Sequence, residues 1–145
     1  MHSKIKEDVN EGLKIIDCGK KIGRGIQTTK SFRKSTYVAT YVGKLLNKSK
    51  AEAKELEYAN LGEDMCYTHY FRWNDRIHCY DATIDDGSFG RLINHSRKRP
   101  NILPKVEVIN GLPHIYFKAI DDISPGTELR YDYGDRKSPL EWLKF

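Results

Sequence analysis

Tyrosine is frequent in this chain, and two tyrosines have a spacing that would serve chemistry. The 145 residues include nine tyrosines, and Tyr131-Asp132-Tyr133 would place two of them on one face of a regular strand. Aromatic faces attract cations and pack against methylene groups, so several tyrosines around a narrow opening would suit an alkyl-ammonium side chain. For any one tyrosine, ordinary core packing is the favoured alternative. The tyrosines in predicted strands or at strand ends are Tyr41, Tyr67, Tyr70, Tyr131 and Tyr133.

A polar segment, Asn94-His95-Ser96, directly follows the apolar pair Leu92-Ile93. Buried polar groups left unpaired cost about 1–3 kcal/mol each, so these side chains must find hydrogen-bond partners. A basic loop, Arg97 to Arg99, follows and ends at Pro100-Asn101. Taken alone, the stretch is explained by a capped turn. The tyrosine-containing segment Gly126 to Asp135 (GTELRYDYGD) favours a functional role instead, because Asn94 and His95 beside its tyrosines would form a polar end to an aromatic channel.

Short strands are predicted to position these residues, so the fold class is mostly β with small helices. Hairpins are indicated where Asn74-Asp75 and Asn110-Gly111 separate apolar, β-branched segments. Cys18 to Gly25 is a glycine-punctuated loop. The predicted strands are Leu13 to Asp17, Ile26 to Lys30, Thr36 to Val42, Cys66 to Trp73, Arg76 to Asp81, Val106 to Ile109 and Pro113 to Ala119.

Helices are predicted at three places. Ser3 to Glu11 is a short helix or a frayed arm, and Asn47 or Ser49 is the N-cap of a helix that runs through Ala59. A third helix begins at the C-terminus with Ser138 as N-cap, followed by a proline at its first position and a glutamate three residues after the cap. Its aromatic and aliphatic side chains would dock on the core or cover a ligand; they are Trp142, Leu143 and Phe145.

Length and composition predict one globular domain. No apolar run approaches the roughly 18 residues of a membrane span, and the polar start is not a signal peptide. Three cysteines without a C-x-x-C pair argue for a reduced intracellular compartment and against a metal site of the zinc-cluster kind. The net charge of +5 weakly favours an acidic partner such as nucleic acid or chromatin.

Four motifs occur in the order and spacing of one enzyme family. They are Gly23-Arg24-Gly25, Tyr41-Val42-Gly43, Arg91 to Ser96 (RLINHS) and Glu128 to Gly134 (ELRYDYG). Through these four motifs the chain resembles the SET-domain protein lysine methyltransferases, from about Leu13 to its C-terminus. Within the family it is most similar to the subgroup that adds one methyl group to lysine twenty of histone four.

The resemblance implies a SET-domain fold of short strands in several small sheets. Its C-terminal pseudoknot would thread the stretch containing Asn94 and the segment Tyr131 to Tyr133 through each other, an exception to unknotted topology. The implied organisation is an N-terminal arm or short helix over residues 1–12 and a catalytic domain over 13–136. A C-terminal helix over 137–145 would close the cofactor and substrate site.

Residue roles also follow from the resemblance. The cofactor S-adenosyl-L-methionine would be bound by Ile22, Gly23, Arg24, Tyr67, Asn94, His95 and Trp142. Tyr133 would be the main catalytic tyrosine, with Tyr131 and Tyr41 as further walls of the lysine channel. A tyrosine at position 131 goes with monomethylation, and Cys66 and Asp135 would lie on the substrate side together with Tyr41 and Tyr131.

The chain departs from its nearest relatives at several positions. Ile22 occupies a position usually held by lysine, although contacts through the backbone survive that change. Thr40 and Val42 replace a glutamate and a histidine around Tyr41, and the segment between Asp135 and Trp142 is shorter. These differences bear on the substrate sequence more than on the chemistry.

The implied partner is the histone-four tail within a nucleosome, and the implied location is the nucleus. The basic loop at Arg97 to Arg99 would contact the DNA backbone or form a solvated surface. We expect a monomer with no membrane partner. The alternatives are a methyltransferase for a non-histone lysine, a non-catalytic chromatin-binding module, and a basic nucleic-acid-binding domain whose binding falls steeply with salt.

Overall fold

A computed structural model describes residues 10–61, 67–84 and 86–133. In chain order the strands and the α-helix are β1 (Leu13–Asp17), β2 (Arg24–Thr28), β3 (Tyr37–Tyr41), β4 (Lys44–Asn47), α1 (Lys48–Asn60), β5 (Thr68–Trp73), β6 (Arg76–Asp81), β7 (Asn94–His95), β8 (Ile102–Ile109), β9 (Leu112–Ala119) and β10 (Arg130–Tyr131). One turn of 3-10 helix, Gly90–Leu92, lies between β6 and β7. Two compact units are present: residues 10–41 with 87–133, and residues 42–86 as far as they are described.

The first unit is made of three small sheets. β1 and β2 form an antiparallel hairpin in which Leu13 pairs with Thr28 and Asp17 pairs with Arg24. β9 lies between β3 and β8, antiparallel to both. β7 and β10 form a short parallel pair. The side chains that fill the core of this unit are almost fully buried and include Ile26, Ile93, Ile102, Ile115, Phe117 and Leu129.

The second unit is an antiparallel sheet, ordered β4-β6-β5, with α1 packed on it. Leu46, Ala51, Tyr70 and Cys79 form its buried cluster, with Ile77 packed at the side. Tyr58 on α1 donates a hydrogen bond from its hydroxyl to Asp81 Oδ2 at 2.7 Å. The helix is therefore attached to the sheet by apolar packing and by a polar contact near its C-terminal end.

Several elements were predicted correctly from local signals. β1 has the predicted bounds, and Asn47 rather than Ser49 caps α1, since its side chain accepts from Lys50 N at 2.8 Å. Both predicted hairpins are confirmed. In each turn both central residues have positive φ, at Asn74 and Asp75 and again at Asn110 and Gly111.

Other strand predictions were wrong in their bounds. β2 begins at Arg24 instead of Ile26, because β-pairing with Asp17 starts as soon as the loop closes at Gly23. β8 begins at Ile102 instead of Val106, and β4 was not predicted. The arm at Ser3 to Glu11 lies almost wholly outside the described residues, as do Cys66 and the predicted C-terminal helix. Within the described part of the chain, no helix is long and apolar enough to cross a membrane.

Candidate functional site

The loop between β1 and β2 is held in a tight shape that exposes its second half. Asp17 Oδ1 accepts a hydrogen bond from Gly19 N at 2.8 Å, and the backbone of Gly23 is bonded to both Cys18 and Gly19 at 2.7 Å. Gly23 has a φ of +86°, which favours glycine. The loop thereby presents Ile22, Gly23 and Arg24 at the surface. Among the described residues, nothing lies within 4 Å of the position that a Cβ would take at Gly23.

Asn94 is hydrogen-bonded to the end of this loop. Its side-chain nitrogen donates to the carbonyl of Arg24 at 3.1 Å and to Glu128 Oε2 at 3.1 Å. Gly25 makes this approach possible, because a Cβ there would lie 2.8 Å from Asn94 Nδ2 and 2.9 Å from Glu128 Oε2. The structure therefore brings together the loop residues and Asn94, as the resemblance implied.

β7 and β10 join the polar stretch to the tyrosines. Asn94 pairs with Arg130 and His95 with Tyr131, in parallel. The contact continues beyond β10, where Tyr133 N donates to His95 Nδ1 at 2.8 Å. When neutral, His95 then has its proton on Nε2, which leaves that nitrogen as a donor.

Asn101 also holds this pairing in place, a role that the sequence alone did not reveal. Its side-chain oxygen accepts from Arg130 N at 2.9 Å, and its side-chain nitrogen donates to the carbonyl of Glu128 at 2.9 Å. Its backbone N–H donates to the carbonyl of Arg130 at 2.9 Å. Pro100-Asn101 resembles an ordinary turn, and a turn asparagine that bonds a strand 29 residues away has no local signature.

Two of the tyrosines predicted to be catalytic, Tyr131 and Tyr133, form an aromatic cluster at β10. The rings of Tyr131 and Tyr133 lie 4.8 Å apart, although the regular strand ends at Tyr131. Tyr131 is 1% exposed and its ring lies 4.7 Å from Phe117 on β9. Tyr133 also lies 4.8 Å from the His95 ring, and its hydroxyl donates to the carbonyl of Ile93 at 2.7 Å. Both rings are therefore fixed by contacts with the Asn94 segment and the central sheet.

Tyr41 is positioned by the end of β3. It pairs with Ile115 on β9, is 2% exposed, and lies on the same sheet face as Phe117. The 3-10 turn approaches this strand end closely, because a Cβ at Gly90 would be 2.1 Å from the carbonyl oxygen of Thr40. Only a glycine there lets the chain that leads to Asn94 pass against the Tyr41 backbone.

Two titratable groups beside Asn94 have shifted pKa values. Burial alone would raise the pKa of the Glu128 carboxyl, but hydrogen bonds from Arg130 and Asn94 and the Arg130 charge bring it below its ordinary value. Burial, followed by the Glu128 charge, raises the pKa of the Cys18 thiol. Glu128 is accordingly a carboxylate and Cys18 a neutral thiol near pH 7.

Four further predicted site residues belong to the second unit or lie outside the described residues. Tyr67 belongs to the second unit, where its backbone N–H donates to Thr83 Oγ1 at 3.0 Å. Cys66, Asp135 and Trp142 lie outside the described residues. Their assigned roles stay predictions.

Comparison with known proteins supplies the family context for this geometry. The family model of the SET domain matches residues 23–134. A Drosophila pseudoobscura protein named Histone-lysine N-methyltransferase Set8 is 43% identical over 97% of this chain and 21% of its own length. The chain spans between 18% and 42% of the length of the first curated relatives that it matches.

Two solved structures are similar in fold. The crystal structure of CpSET8 from Cryptosporidium has a TM-score of 0.78 and 41% identity, covering 86% of this chain and 58% of that one. A Chaetomium thermophilum Polycomb Repressive Complex 2, in an autoinhibited conformation bound to S-adenosylmethionine, has a TM-score of 0.77 and 26% identity, covering 92% of this chain and 16% of that one.

Proposed function

Because the chain belongs to the SET-domain family, we propose that it is an S-adenosylmethionine-dependent protein-lysine N-methyltransferase. The proposed substrate is lysine twenty of histone four in nucleosomes, and the proposed product is monomethyl-lysine. The substrate follows from relatives named Set8, and the product state follows from the tyrosine at position 131.

The observation that supports this activity most strongly is the hydrogen-bonded connection between Asn94-His95 and Tyr131-Tyr133. Asn94 donates to Arg24 in the exposed loop, while His95 accepts from the backbone of Tyr133. Two residues proposed to bind the cofactor, Asn94 and His95, are therefore joined directly to the segment that carries Tyr131 and Tyr133. Methyl transfer is an in-line displacement, in which alignment is the enzyme's main task.

The donor set suits S-adenosylmethionine. Ile22, Gly23 and Arg24 are exposed residues, a Cβ at Gly23 would meet no other described atom within 4 Å, and His95 Nε2 is a donor. Asn94, Tyr67 and Trp142 are the other proposed contacts. When bound, the cofactor would supply an electrophilic methyl group on a sulfonium.

The tyrosines would favour the neutral form of the substrate lysine and orient its amine. Free lysine has a pKa of about 10.4 and must lose its proton to water before its nitrogen can attack. Desolvation among Tyr41, Tyr131 and Tyr133 disfavours the ammonium form and pushes that pKa down. Their hydroxyls orient the amine lone pair, so no strong carboxylate base is needed. Asp132, 3.9 Å from His95 Nδ1, is then a structural group.

The proposed setting is chromatin in the nucleus, with the protein acting as a monomer. Arg97, Lys98 and Arg99 are exposed in the loop after β7, where they would meet the phosphate backbone of nucleosomal DNA. Cys66 and Asp135 are proposed to contact the histone tail.

Mass spectrometry of histones after incubation with S-adenosylmethionine and nucleosomes tests the proposal. We expect one added methyl group on the histone-four tail from the wild-type protein and none from Tyr133→Phe, which loses the hydroxyl bonded to Ile93. Tyr116→Phe, on the solvent side of β9, is the matched control and should retain activity.

Cofactor binding without methylation of any histone would reject the histone substrate and favour a non-histone lysine or a binding module. Binding to nucleic acid without affinity for the cofactor would reject the enzyme proposal altogether.

A further inference from the structure

The side chain of Asn94 is surrounded by acceptors that fix its orientation. Its NH₂ group has two hydrogens, and the Arg24 carbonyl and the Glu128 carboxylate each lie 3.1 Å from the nitrogen. Cys18 Sγ is a further neighbour at 3.9 Å. If the amide were flipped, its oxygen would face two acceptors, so both of those hydrogen bonds would be lost. The observed orientation directs the amide oxygen away from this cluster.

Glu128 is itself held from several directions. Its Oε1 accepts from Arg130 Nη2 at 2.8 Å, and its Oε2 is 3.7 Å from Cys18 Sγ. Its backbone bridges to Gln27 on β2, and its carbonyl accepts from Asn101 Nδ2. The carboxylate is therefore a fixed acceptor on the β10 side, while the Arg24 carbonyl is the fixed acceptor on the β2 side.

We propose that Glu128 is a positioning residue, whose carboxylate sets which edge of the Asn94 amide faces the cofactor. This inference rests on the proposed function, because it takes Asn94 to be a cofactor contact. Without the carboxylate, the Arg24 carbonyl and the weaker acceptor Cys18 Sγ are the contacts that still oppose rotation of the amide. Glu128 touches neither the lysine nor the methyl group, so its loss should weaken cofactor binding and leave turnover at saturation unchanged.

The experiment is titration calorimetry of S-adenosylmethionine into the wild-type protein, Glu128→Ala, Glu128→Gln and Arg130→Ala. We expect Glu128→Ala to raise Kd about tenfold, the usual size of one lost hydrogen bond to a charged group. Glu128→Gln should stay within about threefold of wild type, because its amide oxygen still accepts from Asn94. Arg130→Ala is the matched control, since it removes the ion pair and spares the Asn94 contact.

A double-mutant cycle shows whether Glu128 acts through Asn94. In an Asn94→Ala background, Glu128→Ala should cause no further loss of affinity. Steady-state kinetics should show a raised KM for S-adenosylmethionine, with kcat and the KM for the histone peptide within about twofold of wild type. If Glu128→Ala does not fold, Glu128→Asp replaces it, because its carboxylate is one methylene further from Asn94.

Two results would overturn this inference and leave the proposed function standing. The first is wild-type affinity for S-adenosylmethionine in Glu128→Ala. The second is a loss of affinity in Arg130→Ala as large as that in Glu128→Ala, which would show that both side chains act by anchoring β10. The NMR signals of the Asn94 side-chain NH₂ provide a ligand-free measurement. They should shift in Glu128→Ala and remain in place in Arg130→Ala, and unchanged signals in Glu128→Ala would also reject the inference. A wild-type protein with no affinity for S-adenosylmethionine would instead reject the proposed function and the cofactor role of Asn94 together.

Discussion

At the scale of single residues, His95 contacts Tyr133 through one ring nitrogen and through the face of its ring. Nδ1 accepts from the backbone of Tyr133, so Nε2 is the donor that remains. The ring also lies 4.8 Å from that of Tyr133. One imidazole thus orients Tyr133 and presents a hydrogen-bond donor.

Tyr131→Phe should change the product rather than abolish the reaction. Tyr131 is buried against Phe117 and Tyr133, so removing its hydroxyl leaves the ring in place and frees space in the proposed channel. We expect dimethyl-lysine to become the main product, as measured by mass spectrometry over a time course. Tyr116→Phe serves as the control, and a Tyr131→Phe enzyme that still stops at one methyl group would contradict this account of product state.

At the scale of elements, close backbone approaches determine where the functional segments lie. The 3-10 turn that precedes Asn94 packs against the end of β3, with Gly90 over the carbonyl of Thr40. A strand end is rigid, because its backbone is held by the β3–β9 hydrogen bonds. The position of Asn94 therefore depends on a contact made four residues earlier.

Gly90→Ala should destabilise the protein strongly. The added Cβ would lie 2.1 Å from Thr40 O, a backbone atom that cannot move aside, and we expect a loss of about 3 kcal/mol or more in the free energy of unfolding. Gly87→Ala is the matched control. It meets open space among the described residues but has a φ of +88°, so it should cost only about 1–2 kcal/mol. Urea denaturation measures both, and equal losses would contradict the steric explanation.

Asn47→Ala should weaken the second unit by removing the helix cap. Its side chain accepts from Lys50 N at 2.8 Å, a contact worth about 1 kcal/mol in such positions. Ser49→Ala, inside the first turn, should change stability by less than about 0.5 kcal/mol. Thermal or urea unfolding of the two variants decides between the caps, and the reverse ranking would assign the cap to Ser49.

The sequence predicted those elements whose signals are local. The two hairpin turns, the cap at Asn47 and strand β1 depend on neighbouring residues and were predicted from them. The mostly β SET-domain fold, predicted through the motif resemblance, is confirmed by the family match and by the solved relative. The proximity of the Asn94 stretch to Tyr131 and Tyr133 was expected only from the resemblance. The parallel pairing of β7 with β10 was not predicted, because hydrogen bonding between distant segments leaves no local pattern.

The candidate site was likewise only partly predictable from local sequence signals. Asn94, His95, Tyr131 and Tyr133 could be singled out by type and spacing, yet the contact between Cys18 and Glu128 joins residues 110 positions apart. The role of Asn101 was missed for a similar reason, since its partners Glu128 and Arg130 are distant in sequence. Sequence motifs thus predicted candidate site residues, whereas the hydrogen bonds that support them could be seen only in the folded structure.

At the scale of the whole molecule, Glu128 should make stability depend on pH. Its pKa in the folded protein lies below the ordinary value of 4.5, so folding favours the ionised carboxylate. This contribution is complete above about pH 4.5 and is lost as pH falls through the folded-state pKa. We expect the difference in unfolding free energy between wild type and Glu128→Gln to be constant from pH 6 to 8 and to shrink in acid. Urea titrations at each pH measure it, and a difference that grew in acid would contradict the assigned shift.

The contacts between the β2 region and the segment before β10 also have a consequence for the order of folding. Thr28 bonds Ser124 and Thr127, at separations of 96 and 99 residues. Loop closure over such distances is slow relative to hairpin formation. The β1–β2 hairpin should therefore form before it pairs with the segment that contains Ser124 and Thr127. On the ribosome, the loop at Ile22 to Arg24 would be synthesised seconds before Glu128 at typical elongation rates. Affinity for the cofactor should therefore arise only after the segment that contains Glu128 has been synthesised and has paired with the β2 region.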